Sequence, residues 1–258
     1  MNIFKDLGIV IPTLNSEATI LHTLGSLMPF REAGAKVIVV DSYSMDRTRD
    51  IAEAYADKIL FVPKGNMYAA VNSGVQDIDL TWVTYINSDD MLHFDAAKGA
   101  LIHCADADVI YGNIDFIDEW SRFLSSWRTA PEWALKATFS VGFASQLQPG
   151  TLFRKSIWNY LKGFDESFRY AADFDFFYRA LQQGSIFKHA GALPLASFRK
   201  HSNQLSLVYA EKLAAEVERA VAQSALPRAP LGTLIKQYCR VRNLDNYLVR
   251  IVRRYLNS

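Results

Sequence analysis

Three short runs of β-branched and aromatic residues, Leu7–Ile11, Val37–Val40 and Trp82–Ile86, constrain this chain more than any other feature. They lack polar alternation, as strands buried on both faces of a parallel sheet must. Between the first two, Ile20, Leu21, Leu24 and Leu27 recur at helical spacing within Glu17–Leu27, and Asp46–Tyr55 repeats the pattern after the second. Ile59–Val62 reads as a further strand. This alternation predicts an open α/β sheet with right-handed crossovers. Such sheets bind ligands outside the carboxyl ends of their strands, so the residues after each run matter most.

Those residues are Pro12-Thr13-Leu14-Asn15, Asp41-Ser42-Tyr43-Ser44 and Asn87-Ser88-Asp89-Asp90. Capping of the next helix explains any one set. Three sets on one edge, with a carboxylate pair on the third, point to a site. Paired carboxylates at a strand end suit Mg²⁺ or Mn²⁺, which takes one or two of them and keeps its other positions for phosphate oxygens and water. The sequence has no GxGxxG after its first strand, no GxxxxGK[ST], no HExxH and no GxSxG. It therefore offers no dinucleotide fingerprint, P-loop, zincin site or nucleophile elbow.

Downstream, Val109–Asn113 and Gln148–Phe153 read as strands, Ser156–Leu161 and Ala172–Gln182 as helices, and Tyr209–Ala225 and Thr233–Tyr255 as two closing helices. Asp173 and Asp175 fall at the start of the Ala172 helix, where they either complement its dipole or supply a general base. Trp120, Trp127 and Trp133 suit either a sugar platform or core filling.

Composition narrows the class. A chain of 258 residues, 50% apolar and 21% charged, holds one large globular domain or a domain with an appendage. Two distant cysteines, Cys104 and Cys239, give no disulfide framework, and the apolar start is too short for a signal peptide, so a cytoplasmic protein is expected. The net charge of +1 is uneven: residues 233–258 carry +5 and the remainder −4. In the tail, Leu234, Tyr238, Val241, Leu248, Ile251 and Tyr255 recur at helical spacing among arginines. That segment either lies on an anionic membrane, at the inner face of the cell membrane, or packs on the body. An acidic body makes nucleic acid a poor partner.

The ordered motifs resemble glycosyltransferase family 2. Ile9–Asn15, Val39–Thr48 and Ile86–Asp90 are similar to its three strand-end motifs, and Lys64–Gly74 to the segment before its metal motif. Gly163–Glu166 with Ala172–Asp175 and Arg179 is similar to its acceptor-side motif, and Arg199-Lys200-His201 with Ser206 to a later loop over the site. Within the family the likeness is to bacterial enzymes that build surface polysaccharides.

The resemblance implies a GT-A fold, a Rossmann-like, mostly parallel sheet flanked by helices. The catalytic domain would span 1–207, with a donor half to about 113 and an acceptor half from about 114, followed by a helical extension over 208–258. It implies a metal-dependent, inverting transfer from a nucleotide-sugar, a UDP-sugar, to a hydroxyl of a glycan or lipid-linked glycan. Asp41 would receive the base, Thr13, Asn15 and Ser42 would line the nucleoside site, and Lys64, Gly65, Asn72, Asn87 and Ser88 would complete the donor site. Asp89 would hold Mn²⁺ or Mg²⁺, with Asp90 and His201 as further ligand candidates, and Asp173 would be the base. Asp175 and Arg179 would hold the base helix. Asn87 replaces the first acid of the D-x-D motif, Leu14 a common Tyr, Val71 a common Arg and Ala69 a common Asp. These departures remove a base-stacking ring and a diphosphate contact, leaving Lys64 to compensate. The rival readings are a catalytically silent sugar-nucleotide sensor or scaffold, and a sugar-1-phosphate nucleotidyltransferase, whose Gly-rich N-terminal loop is missing.

Overall fold

Backbone hydrogen bonds gather the apolar runs into one sheet. The structure, a computed structural model, describes residues 3–143, 148–202, 204–224 and 228–247, without the side chains of Leu205 and Ser206. Its strands are β1 (Leu7–Thr13), β2 (Lys36–Asp41), β3 (Lys58–Phe61), β4 (Trp82–Tyr85), β5 (Met91–Leu92), β6 (Val109–Tyr111), β7 (Ile114–Ile117), β8 (Phe123–Trp127), β9 (Leu152–Arg154), β10 (Phe187–His189) and β11 (Ala196–Arg199). Among the described residues, one sheet runs β10-β6-β9-β4-β1-β2-β3 and a smaller one runs β5-β11-β7-β8. Only β9 is antiparallel to its neighbours in the larger sheet, so the expected mostly parallel architecture is present.

Side-chain alternation gives this sheet two buried faces. Val10, Ile38 and Val40 point into one core, while Ile9, Ile11, Val37 and Val39 point into the other. The second core is covered by α1 (Ile20–Glu32) and α4 (Phe94–His103). The first is covered by α3 (Met67–Gln76), α5 (Leu135–Phe139), α6 (Lys155–Leu161) and α7 (Ala172–Gln182). Helix α2 (Thr48–Tyr55) connects β2 to β3.

The sequence reading assigns no helix to Met67–Gln76, yet α3 begins with a capped turn: Asn66 accepts a bond from the Tyr68 N–H. The expected strand over Gln148–Phe153 is confined to Leu152–Arg154, because Pro149 cannot donate to a ladder and Gly150 takes a φ of 96°. A short α8 (Leu205–Val208) leads into α9 (Ala210–Gln223), which packs on α7, and α10 (Gly232–Val241) packs on α5. Ala220 and Cys239 of these last helices belong to the first core. The expected helix over Thr233–Tyr255 is broken at residues 242–243, where the Asn243 side chain bonds Cys239 O and both backbone groups of Arg128, and helix resumes over residues 244–247. Residues 248–258, with Leu248, Ile251 and Tyr255, lie outside the described residues.

Helix α3 approaches the sheet at Gly74, where a Cβ would sit 2.5 Å from Val10 Cγ1 and 2.9 Å from Val40 Cγ2. Gly74→Ala is expected to cost about 1–3 kcal/mol by overpacking. Gly25→Ala, on the open side of α1 where a Cβ meets nothing, should be neutral or gain up to ~1 kcal/mol. Urea unfolding measures both, and equal effects would contradict this packing.

Candidate active site

The turns after β1, β2 and β4 are bonded to one another. Asn15 donates its N–H to Ser44 Oγ at 2.8 Å and accepts from the Met45 N–H at 2.9 Å. Ser16 donates its N–H to Thr48 Oγ1 at 2.7 Å, and its hydroxyl meets Ser88 Oγ at 2.8 Å. Two of these turns take positive φ at side-chain-bearing residues, 49° at Asn15 and 57° at Tyr43. Such backbone persists where its surroundings over-determine it.

Asp41 lies beneath this corner, fully buried, its oxygens accepting from Ser44 Oγ at 2.5 Å and Ser44 N–H at 2.8 Å. Leu14, Asn15, Tyr43 and Met45 face outward here, and Ser42 is partly exposed. Tyr43 stacks on Phe61 at the end of β3, 5.9 Å between centroids, and both rings are about half exposed. At the end of β1 and just beyond the adjacent β4, Thr13 Oγ1 and Asn87 Oδ1 are buried without a hydrogen-bond partner. Lys64 and Gly65 stand exposed on the loop before α3, and a Cβ at Gly65 would meet open space.

Asp89, just before β5, and His201, just after β11, come together beside that antiparallel strand pair: Asp89 Oδ2 and His201 Nε2 are 2.8 Å apart, both groups about one quarter exposed. Adjacent ligands on an octahedral ion at ~2.1 Å sit about 3 Å apart, so a carboxylate and an imidazole at this spacing fit two neighbouring positions on a divalent cation. Among the described residues no third His, Cys, Asp or Glu joins them.

Asp90 is not a ligand candidate. Its carboxylate is buried, accepting the Arg199 N–H at 2.9 Å on Oδ1 and the Asn87 amide at 3.3 Å on Oδ2. Burial, reinforced by the Asp89 charge, pushes its carboxyl well above the usual range. Asn72 is corrected too. Both its amide hydrogens go to Phe164 O and Glu166 Oε1 and its oxygen accepts the Phe164 N–H, each near 2.9–3.0 Å. It latches the 163–166 loop and has no donor left for a ligand.

Arg199 explains how the pair is held. Its buried guanidinium donates to Asp89 O at 2.7 Å and, at 3.0 Å each, to Asp118 O, Glu119 O and Ser121 Oγ. It thus binds the Asp89 loop to the turn between β7 and β8, where Trp120 is exposed.

Asp173 occupies the first turn of α7, accepting the Tyr68 hydroxyl at 2.9 Å and the Phe174 N–H at 2.8 Å. Burial raises its carboxyl above the ordinary range, against the lowering effect of those two bonds. At the end of β4, the Tyr85 phenol is pushed well up by burial and then by the charges of Asp173 and Asp90 together. The two acidic centres therefore flank one strand end. Asp175 pairs with Arg179 at 2.7 Å, and Arg179 also donates to Leu161 O and Gly163 O. These two fix the helix, as expected of them. Sequence reasoning missed Tyr68; its position two residues after the Asn66 cap is the signal that could have found it.

Comparison with known proteins follows this geometry. The family model described as glycosyl transferase family 2 matches residues 8–162. An uncharacterised glycosyltransferase of Rickettsia prowazekii is 24% identical over 72% of this chain and 62% of its own length. A PGL/p-HBAD biosynthesis glycosyltransferase of Mycobacterium bovis BCG is 32% identical over 33% of this chain and 36% of its own. The chain spans 60–62% of the length of its two Rickettsia relatives. TarS 1–349 of S. aureus, solved with UDP-GlcNAc, superposes with a TM-score of 0.66 at 20% identity, covering 93% of this chain and 73% of TarS. That likeness is one of fold, and the fold is GT-A.

Proposed function

Because this chain belongs to glycosyltransferase family 2, we propose that it moves a sugar from a UDP-sugar to a hydroxyl of a glycan or lipid-linked glycan, with inversion, in polysaccharide biosynthesis. The observation that carries this reading is the placement of Asp173 and the Asp89–His201 pair around the end of β4. A UDP-GlcNAc complex of the similarly folded TarS supports a uridine diphosphate donor.

The exposed Tyr43–Phe61 face suits a flat base, in place of the ring missing at Leu14, with Asn15 and Ser42 beside it. Asp41 then acts by holding the turn through Ser44. Asp89 and His201 would hold a divalent cation, Mn²⁺ or Mg²⁺, which neutralises charge on the donor diphosphate and improves it as a leaving group. Lys64, exposed nearby in sequence to α3, is free to approach the same charge. Asp173 accepts the proton of the acceptor hydroxyl as its oxygen bonds the anomeric carbon and the diphosphate departs. Tyr68 keeps the reactive carboxylate oriented. A silent sensor would have no use for a half-buried base with a raised proton affinity.

Asp173→Asn is expected to lower kcat about 10²–10⁴-fold, with UDP-sugar affinity within about twofold by calorimetry. Because only the ionised carboxylate accepts a proton, wild-type kcat should fall with decreasing pH through a midpoint above the ordinary Asp range. Asp89→Ala should abolish the Mn²⁺ dependence of donor binding. Full activity of Asp173→Asn would sink the base assignment.

We also propose that α10 and the residues after it, within 233–258, rest on an anionic membrane at the cytoplasmic face. The described part does pack on the body through Cys239, Asn243 and Asn246, all buried. Yet Leu231, Leu234, Tyr238, Val241 and Leu244 form an exposed outward stripe with Lys236 and Arg240 on the same helix. Trp133 joins it, 5.9 Å from Tyr238. Among the described residues no helix is long and apolar enough to cross a bilayer. Leu234→Glu with Val241→Glu should abolish co-sedimentation with phosphatidylglycerol-containing vesicles, and unchanged binding would refute the surface.

A further inference from the structure

Helix α7 carries the candidate base but supplies no cap of its own: Ala171 stands at the N-cap position and makes no side-chain bond. The three residues that lead into the helix, 169–171, carry backbone N–H groups that need an acceptor, and a carboxylate close to a helix N-terminus is favoured by its dipole. One arrives from elsewhere in the chain. Glu216 of α9 accepts the Arg169 N–H at 2.9 Å on Oε1, and the N–H groups of Tyr170 and Ala171 at 2.8 and 3.0 Å on Oε2. Three consecutive amides thus converge on one side chain of the C-terminal extension.

The same helix grips the segment twice more. Arg219 lies 3.7 Å over the Phe168 ring and donates to Ser167 Oγ at 3.3 Å. Tyr209, just before α9, packs against Tyr170 at 5.0 Å. What the clamp fixes is next to the reacting group. The Tyr68 hydroxyl sits between Tyr170 O at 3.2 Å and Asp173 Oδ1 at 2.9 Å. Glu216 sets the Tyr170 peptide from its N–H side, and that peptide's segment, through Tyr68, sets Asp173.

We propose that Glu216 is a positioning residue for Asp173, and that the extension beginning at residue 208 is a working part of the acceptor site. The catalytic consequence rests on the transfer reaction proposed above. A misplacement near 1 Å of a reacting group costs on the order of 10²-fold. A Gln side chain keeps an acceptor oxygen where Oε2 lies, whereas Ala leaves three amides unpaired.

The test has two arms on the full chain. In hydrogen exchange, Glu216→Ala should speed the amides of residues 169–171 at least tenfold over wild type while α1 and β1 exchange as before, and Glu216→Gln should stay within about threefold of wild type. In turnover, read as UDP release when water takes the sugar of UDP-GlcNAc in the presence of Mn²⁺, Glu216→Ala should lower kcat on the order of 10²-fold with donor KM within about twofold. Glu216→Gln should recover most of that loss. If the wild type releases no UDP, the transfer reading fails for this donor while the exchange arm still decides the clamp. Unchanged exchange at 169–171 in Glu216→Ala would overturn the proposal. So would a kcat loss in Glu216→Gln equal to that in Glu216→Ala, or a loss confined to KM.

Discussion

The site depends on two buried side chains, Asp90 and Arg199, linked through the Arg199 backbone N–H where the two sheets join. Asp90 accepts the backbone N–H of Arg199, and the Arg199 guanidinium returns to the carbonyl of Asp89 and to two carbonyls of the β7–β8 turn. Neither charge has water to solvate it, so each is held by directed bonds or not at all. The consequence is geometric: Asp89 is turned outward beside His201, while its neighbour in sequence is locked inward. One adjacent pair of acids is thus split into an inward anchor and an outward group that we propose as a ligand.

Electrostatics extends the same arrangement to the acceptor side. Asp90 and Asp173 both act on the buried Tyr85 phenol, so negative charge collects around the end of β4. Burial raises both carboxyls, and at Asp90 the charge of the neighbouring Asp89 adds to it. Such a site is incomplete without positive charge. The Asp89–His201 pair is the place where a divalent cation can supply it, and a nucleoside diphosphate then completes the balance of charge. Acid placed around one strand end is the feature on which the proposed transfer rests, with Asn87 in place of an acid.

Local patterns made the scaffold readable. Buried strands announce themselves as unbroken apolar runs, and the base helix is found at Ala172–Gln182, the bounds its spacing predicts. The Asp175–Arg179 pair could be picked out because its motif is short and contiguous. What was illegible is what distant partners decide. Asp90 looks equivalent to Asp89 until Arg199, 109 residues later, claims it. Asn72 looks like a ligand group until the 163–166 loop, more than 90 residues away, consumes its amide. His201 stands 112 residues from Asp89, and no local spacing joins them. The tail read as one amphipathic helix because periodicity does not register the turn that Asn243 imposes by bonding back to Arg128.

Asp89 and His201 are proposed to receive together a divalent cation that carries a nucleoside diphosphate. Anomalous diffraction at the manganese edge, from crystals of the full chain soaked in Mn²⁺ and UDP, tests it most directly. The account predicts one strong peak about 2.0–2.2 Å from both Asp89 Oδ2 and His201 Nε2, with diphosphate density against it and Asp90 still facing Arg199. A manganese peak held by Asp90, or UDP bound with no peak between Asp89 and His201, would contradict it.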